Sequence, residues 1–308
     1  MLELRNVHRY FGETRAVEDV SFTVDAGQVL GYIGPNGAGK TTSMRILATL
    51  DLPTHGDAFV DGFSVVNDPD RVRRRLGFMP DYFGTYPNVS VRDYLDFFAR
   101  SYQLSGRERV AAIRRTMAFT KLDELANKPI AGLSKGMKQR LSLGRSMIHD
   151  PAVLVLDEPA AGLDPRARIQ LREMIRALAE DGKAVLISSH ILTELSEICD
   201  VVGIIEQGKL LVHCPVDELQ NEQQSQSAVR IKILGDAATL TQWLEARGDV
   251  TEIRADGPTV KFLHGGGEEA QADLLREIVE AGFRVISFGV ETKSLEDIFM
   301  QITEGRVQ

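Results

Sequence analysis

A chain of 308 residues, 43% of them hydrophobic, holds enough apolar surface for about two domains with buried cores, which excludes a disordered or low-complexity protein. Its 36 Lys and Arg against 44 Asp and Glu give a formal charge of -8, which argues against broad electrostatic attraction to nucleic acid or to an anionic membrane surface. Cys199 and Cys214, without CxxC or CxxH spacing, fit a reducing compartment; with no secretion signal and no run of about 18 apolar residues, a soluble, cytoplasmic protein is expected.

In chain order, Leu2 to Val7, Ala16 to Val24 and Val29 to Ile33 alternate or run apolar as strands do, with turns at Gly12 and at Asp25 to Gly27. Directly after the third strand, Gly34-Pro35-Asn36-Gly37-Ala38-Gly39-Lys40-Thr41 fills every fixed position of the pattern G-x-x-x-x-G-K-[ST]. Glycines at 34, 37 and 39 let successive backbone N–H groups turn inward toward phosphate oxygens, and the following helix adds the positive end of its dipole. Lys40 then reaches the outer phosphates, the Thr41 hydroxyl holds Mg²⁺, and Thr42 completes the expected nucleotide-contacting set.

Thr41 to Leu50 has helical spacing, Asp57 to Val65 returns to strand character, and Arg71 to Arg75 reads as one solvated helix face. Val91 to Leu125 is helical, with Tyr94 and Phe97 among the aromatics expected to face the core. Val153 to Leu156 and Ala184 to Ser188 are short, continuous apolar runs, as expected of parallel strands buried on both faces, and a helix over Pro165 to Ala179 connects them. The first of these strands runs into Asp157 and Glu158. Asp157, delivered to the carboxyl edge of the sheet beside the phosphate loop, is a candidate Mg²⁺ ligand. Glu158 points the other way and is a candidate general base for an attacking water.

The polar, Gln-rich stretch Asp217 to Ser227 marks a break. Beyond it the pattern is strand (Ala228 to Leu234), helix (Ala238 to Arg247), two strands (Val250 to Arg254, Thr259 to His264), helix (Glu268 to Ala281), strand (Arg284 to Val290) and a closing helix from Leu295. That βαββαβ order is ferredoxin-like and names no function by itself.

With these motifs in order, the chain resembles the ATP-binding subunit of an ABC transporter. Leu133-Ser134-Lys135-Gly136-Met137-Lys138-Gln139 is similar to the family's LSGGQ signature, with Lys135 and Met137 as departures; Asp157 to Pro165 is similar to the metal-binding strand and D-loop; His190 matches the switch histidine. The resemblance covers about Leu2 to Leu219. It implies an α/β P-loop NTPase cassette with a mixed-sheet core, an antiparallel β subdomain and a helical subdomain. It also implies Mg²⁺-dependent ATP hydrolysis by Lys40, Glu158 and His190, and ATP closed over by Ser134 and Gly136 of a second cassette, giving a homodimer. Phe11 matches the adenine-stacking aromatic, with adjacent Tyr10 as the alternative. Asp81 stands where most relatives carry Gln, which gives it a metal-sensing or coupling role without an amide donor.

The C-terminal part, including Ser294 to Phe299, resembles the accessory domain of subunits paired with drug-, lipid-, polysaccharide- or ion-exporting permeases. The expected organisation is therefore a cassette over 1–220, a linker over 221–227 and a small α+β domain over 228–308. The expected partner is a separate membrane permease, contacted near Tyr82, Phe83 and Tyr86, with no nucleic acid. A soluble cassette acting on ribosomes or DNA, and an importer subunit, are the rival readings.

Overall fold

The structure, a computed structural model, describes residues 1–82, 84, 88–190, 198–221 and 227–291. The chain divides into two compact units, Met1–Pro215 and Val216–Gln308.

In the first unit, β1 (Leu2–Phe11) and β2 (Thr14–Val24) pair across the Gly12 turn, and β4 (His55–Val60) and β5 (Phe63–Ser64) extend them into an antiparallel sheet of order β2-β1-β4-β5. The second sheet contains β3 (Val29–Ile33), β6 (Leu76–Met79), β7 (Val153–Leu156), β8 (Ala184–Ser189), β9 (Val201–Glu206) and β10 (Lys209–Pro215), in the order β10-β9-β3-β8-β7-β6. It is parallel except for β10, so it is the mixed sheet expected from the sequence. Every residue of β3, β7 and β8 is buried, which is why these strands read as unbroken apolar runs.

Helix α1 (Lys40–Leu47) follows the phosphate-loop motif, and α2 (Pro69–Arg75) precedes β6. The arginine run lies on α2 and is tied to its surroundings: Arg73 donates to Thr49 Oγ1 (2.8 Å), Arg75 lies 3.6 Å from Asp61, and Arg71 sits over the Phe63 ring. The helical reading over Val91 to Leu125 resolves into α3 (Val91–Ser101), α4 (Gly106–Phe119) and a short 3-10 turn, Asp123–Leu125. Gln103, at φ +64°, breaks the first two apart. On α3 the buried residues are Val91, Tyr94, Leu95 and Ala99, a 3.6-residue stripe. Phe97 falls off that stripe and is 61% exposed, so its expected place in the core is corrected.

Helix α5 (Lys135–Met147) starts at Ser134, whose Oγ accepts from Met137 N (3.3 Å), and its Gly144 lets it close on Thr116 of α4. Helix α6 (Pro165–Glu180) is capped by Asp164, which accepts from Ala167 N (3.0 Å), with Pro165 in the first turn.

The second unit opens with α7 (Val216–Asn221), followed by β11 (Ser227–Ile233), α8 (Ala237–Glu245), β12 (Val250–Asp256), β13 (Thr259–His264), α9 (Glu268–Glu280) and β14 (Val285–Glu291). The antiparallel order β12-β13-β11-β14 is the ferredoxin-like arrangement. Its core is built on Val229, Ile231, Leu240, Leu244, Phe262, Leu274 and Ile278. The expected closing helix from Leu295 lies outside the described residues. Among the described residues, no helix is long and apolar enough to cross a membrane.

One close approach sets the depth at which β6 sits against α5. A Cβ built on Gly77 would strike the Ser146 carbonyl and come within 2.8 Å of Leu154 Cδ2. Gly77→Ala is therefore expected to lower the unfolding free energy by about 1–3 kcal/mol, as overpacking against backbone does, measured by urea unfolding of the full chain.

Candidate active site

The phosphate loop is shaped by contacts that allow no side chain. A Cβ at Gly34 would meet the Ile205 carbonyl, and one at Gly39, which has φ +105°, would meet the Ala16 carbonyl. Gly39 caps α1 without a side-chain hydrogen bond, so the first turn of the helix is left to an anion rather than to its own cap. Lys40 is the first residue of α1 and is buried. Its ammonium donates to Gly34 O (2.6 Å) and Pro35 O (3.2 Å) and lies 3.7 Å from Glu158 Oε1. Burial pulls the Lys40 pKa below its ordinary value, and the carboxylates of Glu158 and Asp157 pull the other way.

Asp157 leaves β7 with its amide bonded to Met79 O (2.8 Å) and its side chain almost fully buried. Its Oδ1 accepts from Ser188 Oγ (2.6 Å), while its Oδ2 is buried with no hydrogen-bond partner. Burial pushes the carboxyl above the usual carboxylate range. The Ser188 hydroxyl and the nearby Thr41 hydroxyl oppose that shift, while the charges of Asp81 and Glu158 add to it. Thr41 closes no hydrogen bond on Oδ2. Glu158 adopts a left-handed backbone, φ +47°, and its amide donates to Ser188 Oγ (2.9 Å). Its carboxylate then reaches both ways, with Oε1 toward Lys40 and Oε2 accepting from His190 Nδ1 (2.8 Å).

Among the described residues, no group of three or more His, Cys, Asp or Glu is arranged to hold a metal by itself. The donors present fit a different case. An orphaned Asp157 Oδ2 beside the Thr41 hydroxyl, with Asp81 close by, suits Mg²⁺ that arrives with phosphates and keeps several waters.

Asn36, Gly37, Ala38, Gly39, Lys40, Thr41, Thr42, Asp81, Glu158 and His190 line one cleft of about 410 Å³, together with Ala16, Lys135, Gln139 and Ala161. The structure thus gathers most of the expected residues from four separate stretches of sequence. Gly34 and Pro35 lie behind the cleft, where their carbonyls hold Lys40. Ser134 and Gly136 are not among the residues that line it; Ser134 is the cap of α5. Phe11 is also outside the cleft lining, 49% exposed, with the Arg9 guanidinium 4.4 Å from its ring centroid. Tyr10 is engaged elsewhere, its hydroxyl bonded to His8 Nδ1 (2.9 Å), which leaves Phe11 as the aromatic with an available surface. Phe83 and Tyr86 lie outside the described residues, while Tyr82 is 72% exposed.

Sequence reasoning missed Ser188, which touches both carboxylate residues; it read Lys135 and Gln139 within the signature segment but did not expect them to enter this cleft from α5. The only sign of Ser188 was a polar residue inside an apolar strand run.

Comparison with known proteins agrees with this geometry. Residues 17–161 match the family described as ABC transporter, and residues 215–303 match the family described as ATP-binding protein DrrA1-3-like, C-terminal domain. The Nod factor export ATP-binding protein I of Burkholderia lata is 35% identical over 308 residues, covering 100% of this chain and 98% of that protein. The daunorubicin resistance ATP-binding protein DrrA2 of Streptomyces coeruleorubidus is 32% identical over 315 residues, covering 98% and 94%. A solved dimeric bacterial ABC transporter cassette superposes with a TM-score of 0.63 at 25% identity, over 70% of this chain and 99% of that one. With the Gly34–Thr41 motif, Glu158 and His190 meeting at one cleft and with these matches, the chain belongs to the ABC transporter family, as an ATP-binding, ATP-hydrolysing subunit.

Proposed function

We propose that this subunit works as a Mg²⁺-dependent homodimer on the cytoplasmic face of a membrane and drives export through a separate permease. The observation that carries the hydrolytic part is the placement of Glu158 between Lys40 and His190 at the mouth of the phosphate loop. Export is supported by the match of 215–303 to the DrrA-like C-terminal domain and by relatives whose names describe export and drug resistance. A permease on a separate chain is supported by the lack, among the described residues, of a helix able to cross a membrane. The division into two compact units, Met1–Pro215 and Val216–Gln308, supports a cassette and an accessory domain, proposed over 1–220 and 228–308 with 221–227 between them.

In the proposed reaction, the backbone of Gly34 to Thr42 holds the phosphates, with Asn36 and Ala38 on the cleft side, and Phe11 stacks on the adenine. Lys40 leaves the carbonyls of Gly34 and Pro35 for the outer phosphate oxygens, which frees Glu158 Oε1. Glu158, still held by His190 through Oε2, then accepts a proton from water as the water oxygen bonds to the γ-phosphorus. The bond from that phosphorus to the bridging oxygen breaks, and ADP departs with the electron pair. Thr41 and Asp157, with Asp81 nearby, would hold Mg²⁺, which when bound would supply positive charge against the phosphate oxygens. Ser134 and Gly136, at the N-terminus of α5, would close over the γ-phosphate of the partner cassette. The permease contact is proposed near Tyr82, Phe83 and Tyr86, of which Tyr82 is exposed, with the exposed Phe97, which packs edge-on against Phe98, added to it.

Substitutions at three residues test this reading. Glu158→Gln should keep ATP binding, accumulate an ATP-bound dimer and lower turnover by about 10²- to 10⁴-fold, read from phosphate release; near-parent turnover would remove Glu158 as the base. Lys40→Ala should weaken ATP affinity by about 10- to 100-fold, the scale of a lost charge-assisted hydrogen bond, in a fluorescent-nucleotide titration. Asp81→Ala should keep ATP binding but lose more of the permease-stimulated rate than of the basal rate, whereas Asp81→Gln retains substantial activity. Equal stimulation of Asp81→Ala and the parent would make Asp81 a plain turn residue. The transporter reading itself is tested by crosslinking in cells from a cysteine placed at Tyr82: a polytopic membrane protein is the expected capture, and exclusive capture of ribosomal or nucleic-acid partners overturns it.

A further inference from the structure

Ser188 has no exposed surface and lies on β8, one residue beyond the Leu156↔Ile187 pair of the parallel β7–β8 ladder. This places its hydroxyl level with the end of β7, where Asp157 and Glu158 begin. A serine hydroxyl has one proton to give and two lone pairs to offer. Here the proton goes to Asp157 Oδ1 at 2.6 Å, and a lone pair takes the Glu158 amide at 2.9 Å. The two bonds have different consequences. The first fixes the rotation of the Asp157 carboxylate and leaves the other oxygen, Oδ2, buried without a partner. The second holds Glu158 in a left-handed backbone that a glutamate does not adopt by preference.

We infer that Ser188 is a positioning residue of the hydrolysis site, dividing the Asp157 carboxylate between a pinned oxygen and a metal-facing one and anchoring the backbone from which Glu158 reaches its water. The inference rests on the Mg²⁺-dependent hydrolysis proposed above and adds to it the group that orients both carboxylates at once. Removing the hydroxyl would leave a buried acceptor and a buried amide unpaired, so Asp157 and Glu158 would each relax toward other partners. Lys40 is within reach of Glu158 and would be the first to gain.

Packing and hydrogen bonding are separated by comparing Ser188→Thr with Ser188→Val, which add the same branch on a strand position while only threonine keeps the hydroxyl. Ser188→Ala provides the same loss without added bulk. The full chain is assayed for ATP affinity in EDTA, for ATP affinity as a function of Mg²⁺, and for kcat. Ser188→Val and Ser188→Ala are expected to match the parent in EDTA, to need about tenfold more Mg²⁺ for the same gain in affinity, and to lose about 10- to 100-fold in kcat, the usual range for loss of a group that orients a metal ligand. Ser188→Thr is expected to recover most of both. The inference is overturned if Ser188→Val and Ser188→Ala keep the parental Mg²⁺ dependence and kcat, or if Ser188→Thr is as impaired as Ser188→Val. Loss of cooperative unfolding in both Ser188→Ala and Ser188→Val overturns it too, because the serine would then serve the fold alone. Parental turnover in Glu158→Gln would instead remove the underlying hydrolysis reading, while the Mg²⁺ dependence of nucleotide affinity would still report on Ser188 without it.

Discussion

Parallel pairing brings Ile33 opposite Ser189, Leu156 opposite Ile187 and Met79 opposite Leu156, so four neighbouring strands end at one edge of the sheet. The site depends on that alignment. Gly34 leaves from β3, Asp81 follows β6, Asp157 follows β7 and His190 follows β8, and none of these residues is near another in sequence. A slip of one residue between β7 and β8 would turn Ser188 to the opposite face and take its hydroxyl from Asp157. Register is secured by burial, because all residues of β3, β7 and β8 are inside and each has a fixed set of neighbours. The hydrophobic core of the sheet is thus also the ruler for its chemistry.

The edge so formed gathers charges that would not stay together in isolation. Asp81, Asp157 and Glu158 converge on a region that must also accept a polyphosphate, and in a partly buried site their mutual repulsion is stronger than in water. The Lys40 ammonium, 3.7 Å from Glu158 Oε1, offsets part of this, and His190 bonds the other oxygen of Glu158. Lys40 donates to two backbone carbonyls, so the binding group is held in place rather than left to solvent. Ligand binding at such a site is an exchange of partners, in which each group moves from a protein contact to a substrate contact. Its net energy is correspondingly smaller than the sum of the contacts made.

The parts of this protein that were legible in the sequence are those in which one residue type alone performs a task. Glycines 34 and 39 have no substitute where carbonyls of Ile205 and Ala16 approach, and an acidic pair at the end of an apolar run has little structural reason to be there. Unbroken apolar strands identified the buried sheet for the same reason. Legibility failed where role depends on direction. Tyr10 and Phe11 are adjacent aromatics with different surroundings: Tyr10 is half-buried with its hydroxyl bonded to His8, and Phe11 is exposed under the Arg9 guanidinium. Phe97 and Phe98 are likewise adjacent, but a helix turns them about 100° apart, placing Phe97 in solvent and Phe98 against the core of the helical subdomain. Ser188 carries no signature because a serine in a strand has many ordinary uses, and its value comes from two neighbours on another strand.

At Glu158, the proposed base, stability and activity would compete at a single residue. Its backbone, at φ +47°, lies where an L-residue other than asparagine or aspartate loses about 1–2 kcal/mol; the amide bond to Ser188 is open to any residue but proline, whereas the contacts to Lys40 and His190 need the carboxylate. A sequence chosen only to fold well would place a glycine there. The carboxylate is retained against the conformational preference of its own main chain, and the rigid sheet edge around it carries the difference. Selection for a more stable subunit and selection for a working one therefore pull in opposite directions at this position, and the stability that the buried strands provide is what lets the second prevail.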